Sequence, residues 1–172
     1  EEHLLNQLLM RNRQVYTDSL TKVFNRRYCD DRLRRLSGEY ALAMIDIDNL
    51  KQINDCFGHP AGDTAIYHTA QAIRAILRSQ DELVRYGGDE FLLLFHSLPQ
   101  NILRRKLEDI CRAVRALRVA DLPELRITVS IGGVYAAGQI SELVEKADLA
   151  LYRAKAQKDS AVLYEEDFHD SE

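Results

Sequence analysis

RYGGDEF, residues 85–91, has the form of a β-hairpin whose tip carries two acidic residues. Residues 82–86 mix apolar and β-favouring side chains, and residues 91–95 form a continuous apolar run. The pattern therefore predicts two strands around a turn at residues 87–90.

The predicted turn has the composition of a ligand-binding tip. Gly87 and Gly88 favour a primed turn with positive φ, and they lack the Cβ that would keep a ligand away from the backbone. Asp89 and Glu90 place two carboxylates beside that open surface. The tip is suited to a metal ion and a phosphate, although ordinary turn chemistry is an alternative that this segment alone leaves open.

A second group of acids ends a strand that the sequence predicts to be buried. Residues 41–45 are apolar on both faces, as in a central strand, and lead directly into Asp46-Ile47-Asp48. Carboxylates held within several ångströms repel one another by roughly 1 to 4 kcal/mol per pair, a cost that Mg²⁺ removes. Asp46 is therefore a candidate metal ligand, and the hairpin tip is its expected partner.

Residues 1–17 are predicted to form a helix ahead of the domain. Leu5, Leu8, Asn12 and Val15 have the spacing of a two-heptad a/d seam. Two interpretations remain open, one in which the helix pairs with a second copy and one in which it packs on its own domain.

The remaining segments alternate between helical and strand patterns. Asn25 is expected to cap a helix that runs to about Leu36 and is ended by Ser37 and Gly38. Further helices are predicted at residues 51–57, 60–79, 100–117 and 141–157, the last capped by Ser141, and further strands at 126–135 and 161–164.

Composition limits the class of protein. A chain of 172 residues with 46% hydrophobic content and a net charge of −4 fits one globular domain, without the basic character of a nucleic-acid-binding protein. No apolar run reaches the roughly 18 residues of a membrane span, no signal peptide is recognisable, and the three cysteines are expected to be reduced. We expect a cytoplasmic domain without membrane contact, and the absence of an initial Met suggests a fragment of a longer protein.

Several motifs agree in order and spacing with the GGDEF family of diguanylate cyclases, which the chain resembles from Asp18 to about Tyr164. The matching segments are DSLT at 18–21, NRRY at 25–28, DID at 46–48, KQIND at 51–55, GH at 58–59, GD at 62–63, RYGGDEF at 85–91, TVSIG at 128–132, AD at 147–148 and ALYRAK at 150–155. The resemblance divides the chain into three parts. Residues 1–17 form a helical linker, which is a possible coiled-coil stub, residues 18–165 form a GGDEF domain, and residues 166–172 form a polar tail.

The resemblance implies an α+β, palm-like fold in which helices flank a mainly antiparallel central sheet. It also implies that two GTP molecules, each held by one protomer of a homodimer, condense to cyclic di-GMP with release of pyrophosphate. Asp46, Asp89 and Glu90 would be catalytic. Together with the Ile47 carbonyl they would bind Mg²⁺ or Mn²⁺, two ions for each GTP.

By the same resemblance, two polar residues contact guanine. Asn54 and Asp63 match those positions, and a carboxylate can accept from guanine N1–H and its exocyclic amine together, which adenine cannot satisfy. The alternative for each residue is a helix cap.

The resemblance also implies phosphate contacts from two segments of the chain. Asn49, Leu50 and Lys51 match the family's phosphate turn, where backbone N–H groups at a helix start hold phosphate. Leu50 replaces the usual Phe, with little expected effect because this position acts through its backbone. Lys155 matches a triphosphate contact, and Gly87 and Gly88 border the substrate.

Arg78 and Asp81 match the family's Arg-x-x-Asp site, at which the product cyclic di-GMP inhibits the enzyme. The alternative is a surface ion pair between residues i and i+3, worth about 0.5 kcal/mol.

One segment departs from the family. The usual Gly-Arg-Asn reads Lys158-Asp159-Ser160, so an acid replaces a basic phosphate contact. If the last helix continues, Asp159 pairs with Lys155 at i,i+4 and weakens GTP binding, with Lys158 partly compensating. The departure favours a second hypothesis, a non-catalytic GGDEF domain that binds GTP or cyclic di-GMP as a receptor. In either case an upstream sensor domain would supply the signal.

Overall fold

The computed structural model describes residues 1–166 and 168, so most of the predicted tail at 166–172 lies outside the described residues. The elements are α1 (Glu2–Tyr16), α2 (Arg26–Asp31), β1 (Ser37–Ile47), α3 (Leu50–Phe57), α4 (His59–Ala75), β2 (Glu82–Arg85), β3 (Glu90–Phe95), α5 (Gln100–Arg115), β4 (Val129–Gln139), α6 (Ile140–Gln157) and β5 (Ser160–Leu163). No helix in these ranges is both long enough and apolar enough to cross a membrane.

The five strands form one mixed sheet in the order β2-β3-β1-β4-β5. The central strand β1 pairs antiparallel with β3 and β4, β2 pairs antiparallel with β3, and β5 joins β4 in parallel. Residues 41–47 of β1 are buried, which explains their unbroken apolar run up to Asp46. The predicted palm-like fold, a mainly antiparallel sheet flanked by helices, is confirmed.

The two faces of the sheet carry separate apolar cores. One face packs against side chains of α4 and α5, and the other against α2 and α6. Gly132 lets α6 lie directly on β4, because a Cβ at this position would be 2.1 Å from the Ala147 carbonyl oxygen and 2.2 Å from the Leu151 nitrogen. This close approach brings the end of α6 to the edge of the sheet where β1 ends.

Several predicted boundaries differ from the structure. Asn25 does cap α2, since its Oδ1 accepts the Tyr28 N–H at 3.0 Å. The helix ends at Asp31 and is followed by a short 3-10 turn, so its predicted extension to Leu36 is wrong. Ser37 and Gly38 do not end a helix but start β1, where Gly38 pairs with Gly138.

Helix α4 ends at Ala75, four residues before the predicted end. The carbonyls of Ile73 and Arg74 accept hydrogen bonds from the N–H groups of Ile76 and Leu77 in the loop that follows. Strand β4 covers Val129–Gln139 instead of 126–135 and continues straight into α6. The predicted Ser141 cap is therefore wrong, because Gln139 holds the cap position. Pairing along the whole of β1 extends β4 beyond its alternating segment.

Helix α1 buries none of its side chains. Leu4, Leu5, Leu8, Leu9 and Met10 are each more than half exposed, at 51–64%. The interpretation in which this helix packs its apolar face on its own domain is therefore wrong. The second interpretation, pairing with another copy, remains a prediction.

Candidate active site

Sheet register brings the predicted acids together. Asp46, at the end of β1, lies opposite Glu90, the first residue of β3. The backbone N–H of Ile47 donates to the Asp89 carbonyl at 3.1 Å, which fastens the end of β1 to the hairpin tip. Asp46, Asp89 and Glu90 thus share one end of the central strand pair.

The hairpin tip closes without left-handed glycines. The N–H groups of Tyr86 and Gly87 donate to the Glu90 carbonyl at 2.8 and 3.2 Å, so the turn spans four residues between β2 and β3. Neither Gly87 nor Gly88 has φ in the left-handed region, and the predicted primed turn is wrong. A Cβ at Gly88 would meet nothing within 4 Å, so this side of the tip is open to a ligand.

Arg85 links the hairpin to the turn after α1. Its guanidinium donates to the Gly88 carbonyl at 2.9 and 3.2 Å and to the Asp18 carboxylate at 3.3 Å. Asp18 also accepts the Thr21 N–H and hydroxyl, at 2.9 and 2.7 Å. Although burial raises the pKa of Asp18, the hydrogen bonds from Thr21 and the charge of Arg85 hold it below its ordinary value.

Asp46 is held in an environment that disfavours its charge. The residue is 8% exposed, and its Oδ1 is buried without a hydrogen-bond partner among the described residues. Burial is the main cause that raises the pKa of Asp46 to about 6. The charges of Asp89 and Glu90 add to this rise, and only the contact with Lys155 opposes it.

Helix α6 contributes two ionisable side chains to this cluster. The Lys155 ammonium contacts Asp46 Oδ2, and this hydrogen bond is the main cause that raises the pKa of Lys155. Burial, with a smaller contribution from Glu90, raises the pKa of Asp148. Asp148 belongs to the Ala-Asp segment that matches the family, for which the sequence indicates no role, and the packing of α6 on the sheet brings it near Glu90.

Asp48, the acid that follows β1, is held by hydrogen bonds to neighbouring elements. Asp48 accepts hydroxyl hydrogen bonds from Thr128 at 2.7 Å and Ser130 at 2.6 Å, and the Asp159 N–H at 2.9 Å. It therefore joins the end of β1 to β4 and to the turn after α6.

A cleft of about 300 Å³ opens between these elements. It begins at Asn49, a left-handed residue with φ 59°, after which α3 starts without a side-chain cap. The first N–H groups of α3 are thus available to an anion. The cleft is lined by Asp46, Ile47, Asp48, Asn49, Leu50, Lys51, Gln52, Asp89, Lys155 and Lys158.

Asn54 lies where α3 meets α4, against Gly62, the residue before Asp63. A Cβ at Gly62 would be 2.0 Å from Asn54 Oδ1, so only glycine leaves room for this amide. Asn54 Oδ1 is buried without a hydrogen-bond partner in the described chain, and Asp63 is exposed. Neither residue lines the cleft itself, but Asn54 is three residues beyond Lys51 on the same helix.

Arg78 and Asp81 form a separate site in the loop after α4. The Asp81 side chain is fully buried and accepts from the Arg78 N–H at 2.9 Å and from its guanidinium at 2.9 and 3.3 Å. The guanidinium also donates to the His96 carbonyl at 2.7 Å. Both residues border a cavity of about 630 Å³ that also receives Arg13, Lys22 and Arg74.

The segment that departs from the family pattern is arranged differently from the prediction. Helix α6 ends at Gln157, and Lys158 and Asp159 follow with φ 60° and 45°. Asp159 accepts from the Arg115 guanidinium on α5 at 2.6 and 3.1 Å, while Lys155 contacts Asp46. The predicted i,i+4 pair between Lys155 and Asp159 is therefore wrong, because the helix ends first, at two residues with positive φ.

Oxygen donors meet at the junction of β1 with the hairpin. In the described ranges no three His, Cys, Asp or Glu side chains are close enough together to hold a metal ion, and the Lys155 ammonium lies on Asp46. The available donors are nevertheless all oxygens, as Mg²⁺ prefers, and Asp46 Oδ1 is a buried acceptor without a hydrogen-bond partner in the part of the chain that the structure describes. These residues fit Mg²⁺ in their chemistry.

Comparison with known proteins identifies the family. A profile described as "Diguanylate cyclase, GGDEF domain" matches residues 15–161. Probable diguanylate cyclase DgcC of Escherichia coli K12 is 34% identical over 148 residues, which cover 80% of this chain and 40% of DgcC. Diguanylate cyclase DgcP of Pseudomonas aeruginosa is 38% identical over 152 residues, which cover 83% of this chain and 23% of DgcP. The chain belongs to the GGDEF-domain family and spans two fifths or less of these two relatives.

Solved structures agree with this assignment. The coiled coil and GGDEF domain of DgcB from Caulobacter crescentus, in complex with c-di-GMP, has a TM-score of 0.85 at 30% identity, covering 94% of this chain and 92% of that one. The diguanylate cyclase SiaD from Pseudomonas aeruginosa, in complex with its activator SiaC, has a TM-score of 0.83 at 34% identity, covering 94% of this chain and 66% of that one.

Proposed function

We propose that this domain is an active diguanylate cyclase that condenses two GTP molecules into cyclic di-GMP and releases two pyrophosphates. The observation that carries the proposal is the junction of β1 with the hairpin. There Asp46 lies opposite Glu90, and the Ile47 N–H is bonded to the Asp89 carbonyl at 3.1 Å. A set of carboxylates in a cleft that also holds three lysines suits phosphoryl transfer better than it suits a structural role.

Asp46, Asp89, Glu90 and the Ile47 carbonyl would hold Mg²⁺ or Mn²⁺, with two ions for each GTP. The ions would supply the Lewis acidity that lowers the pKa of the attacking 3′-hydroxyl and stabilises charge on the leaving pyrophosphate.

The chain's own residues would bind and orient the substrate. Lys51 of α3 and Lys155 of α6 both line the cleft and would meet the triphosphate there, and the uncapped start of α3 would donate N–H groups to it. Asn54 and Asp63 would bind the guanine edge. An ATP molecule would leave the unpaired acceptors of these residues unsatisfied, and GTP would be preferred for that reason.

The reaction would require a homodimer, because one hairpin supplies one half-site and one GTP. The exposed leucines of α1 are suited to join two copies through a short coiled coil. Because the chain covers only part of its relatives, an upstream sensor domain would belong to the same protein. The domain would work in the cytoplasm, where GTP is made.

Cyclic di-GMP would also act as an inhibitor at Arg78 and Asp81. DgcB is described in complex with this ligand, which supports testing it on this chain. Since both oxygens of Asp81 are occupied by Arg78, a ligand would meet the partly exposed guanidinium first.

A second candidate is a non-catalytic receptor for GTP or cyclic di-GMP. Asp159 was the residue that favoured it, as an acid in a phosphate-contacting position. The ion pair of Asp159 with Arg115 directs this carboxylate to α5, away from the cleft lining, and weakens that argument. A receptor also has no need for the acids at the hairpin tip.

The test is incubation of the purified domain with GTP and Mg²⁺, with the product identified by chromatography. We expect cyclic di-GMP from the parent and from Asp109→Ala, a control that removes an exposed acid of α5. Asp89→Ala should abolish the product while circular dichroism shows an intact fold. Turnover of Asp89→Ala at the parent rate would contradict the metal assignment, and binding of GTP without any product would favour the receptor.

A further inference from the structure

Lys158, the residue that ends α6, has a backbone conformation that lysine rarely adopts. Its φ is 60° and its ψ is 165°, a combination that is essentially restricted to glycine. Residues with a Cβ persist in such conformations only where their surroundings hold them, and these positions cluster at ligand-binding sites.

Contacts on both sides hold this turn in place. The Lys158 N–H donates to the Ala154 carbonyl at 2.8 Å and ends the helix. The next residue, Asp159, is bound through its carboxylate to Arg115 and through its N–H to Asp48. Arg115 on α5 and Asp48 at the end of β1 therefore hold the backbone of this turn in place. The backbone conformation in turn sets the direction of the Lys158 side chain.

The Lys158 side chain points into the proposed substrate cleft. Its Nζ donates to Asn49 Oδ1 at 2.5 Å, at the residue that precedes α3. Lys158 lines the cleft together with Lys51 and Lys155. Within the described residues it contacts a neutral amide and forms no ion pair, whereas Lys155 is paired with Asp46. The charge of Lys158 is thus available to an anion at the start of α3.

We propose that Lys158 binds the triphosphate of the substrate and supplies the cation that Asp159 does not. This inference rests on the proposed GTP site and adds a specific residue to it. An incoming phosphate oxygen would replace the Asn49 amide oxygen as the partner of Nζ, while the first N–H groups of α3 bind the same group. A charged acceptor in place of a neutral one makes this exchange favourable. The ligand class is a nucleoside triphosphate, and GMP, which lacks the β- and γ-phosphates, is the comparison ligand.

The experiment compares stability with affinity in three variants. Lys158→Gly removes both the cation and the backbone strain, and Lys158→Arg keeps the cation. Lys22→Gly is the matched control, because Lys22 also has positive φ, at 65°, and does not line the cleft. Calorimetry in Mg²⁺ would measure binding of α,β-methylene GTP, which cannot react at the α-phosphate, and of GMP. Thermal unfolding of the ligand-free proteins would be followed by circular dichroism.

We expect Lys158→Gly to raise Tm by about 2 °C or more and to weaken binding of the GTP analogue about 5- to 30-fold, with GMP binding unchanged. Lys158→Arg should keep the affinity for the analogue within about threefold of the parent. Lys22→Gly should raise Tm without changing either affinity.

Equal affinity of Lys158→Gly and the parent for the GTP analogue would overturn the inference, as would an equal loss for the analogue and for GMP. The binding measurements need no turnover. A domain that makes no cyclic di-GMP but shows the expected affinities would refute the proposed cyclase activity and still support the role of Lys158.

Discussion

Replacement of Asp46 by Asn should stabilise the metal-free domain while abolishing its activity. Asp46 is buried beside other acids, and its pKa is raised from 3.8 to about 6. A carboxyl whose folded pKa exceeds its unfolded pKa binds more protons when folded, so its contribution lowers stability as pH rises. The cost develops between about pH 4 and pH 6 and is fully present above pH 6.

The size of the effect follows from the two pKa values. Each pH unit between them is worth about 1.36 kcal/mol, so the ionised carboxylate costs about 3 kcal/mol at pH 8. At pH 5 most of the folded molecules carry a protonated Asp46, and the cost falls to roughly half of that value. The amide introduced by Asp46→Asn does not titrate, so the stability advantage of the variant should be larger at pH 8 than at pH 5 by about 1 to 2 kcal/mol.

Urea unfolding in EDTA at both pH values would measure this difference. Circular dichroism is the suitable probe, since the chain contains no Trp. Asp48→Asn is the matched control in the same strand segment. Asp48 accepts three hydrogen bonds, and the Asn side chain has only one acceptor oxygen for them. The free energy of unfolding of Asp48→Asn should therefore be about 1 to 3 kcal/mol lower than that of the parent at either pH.

Two results would refute the reasoning. If the difference in free energy of unfolding between Asp46→Asn and the parent were the same at pH 5 and pH 8, ionisation of Asp46 would not destabilise the folded state. If Mg²⁺ at pH 8 stabilised the variant as much as the parent, Asp46 would not contribute to a metal site.

Four further expectations follow from the same structure. The rate of product formation per protomer should rise with protein concentration, and a constant rate from a demonstrated monomer would exclude the two-half-site mechanism. Arg78→Ala should weaken binding of cyclic di-GMP at least about tenfold in calorimetry; unchanged affinity would leave this arginine with only its structural role in the loop after α4. Gly62→Ala should raise KM for GTP more than it lowers kcat, because its Cβ would stand 2.0 Å from Asn54 Oδ1 and displace the amide. Asp159→Arg should leave affinity for α,β-methylene GTP within about twofold and lower Tm, since it breaks the pair with Arg115; a 5- to 30-fold gain would show that residue 159 does face the triphosphate.

Local features of the sequence predicted much of the fold. The apolar run at 41–45 identified the central strand, because burial on both faces leaves no alternation. Asn25 was identified as a helix cap from its residue type and position, and its Oδ1 accepts the expected N–H. Acids at the ends of predicted strands were expected to lie close together, and Asp46 does lie opposite Glu90 in the sheet, while their shared role in a site remains a prediction.

Boundaries were predicted less well where tertiary contacts override local preference. Ser37 and Gly38 have the composition of a helix end, yet they belong to β1 because β4 pairs with them. Gly87 and Gly88 have the composition of a primed turn, yet the four-residue tip needs no positive φ. In each case the partner strand decides the backbone conformation, and the residue types only permit it.

The sequence by itself determined which chemical groups are present, their order, and the family to which the chain belongs. The tertiary structure alone decided which groups meet. Lys155 contacts Asp46 instead of Asp159, and Asp159 contacts Arg115, which is 44 residues away in the chain. The physical reason is that local patterns report periodicity and propensity over a few residues. These pairings depend instead on the order of the strands and on the close packing of α6 against Gly132. They also depend on Lys158 and Asp159, whose positive φ values end α6.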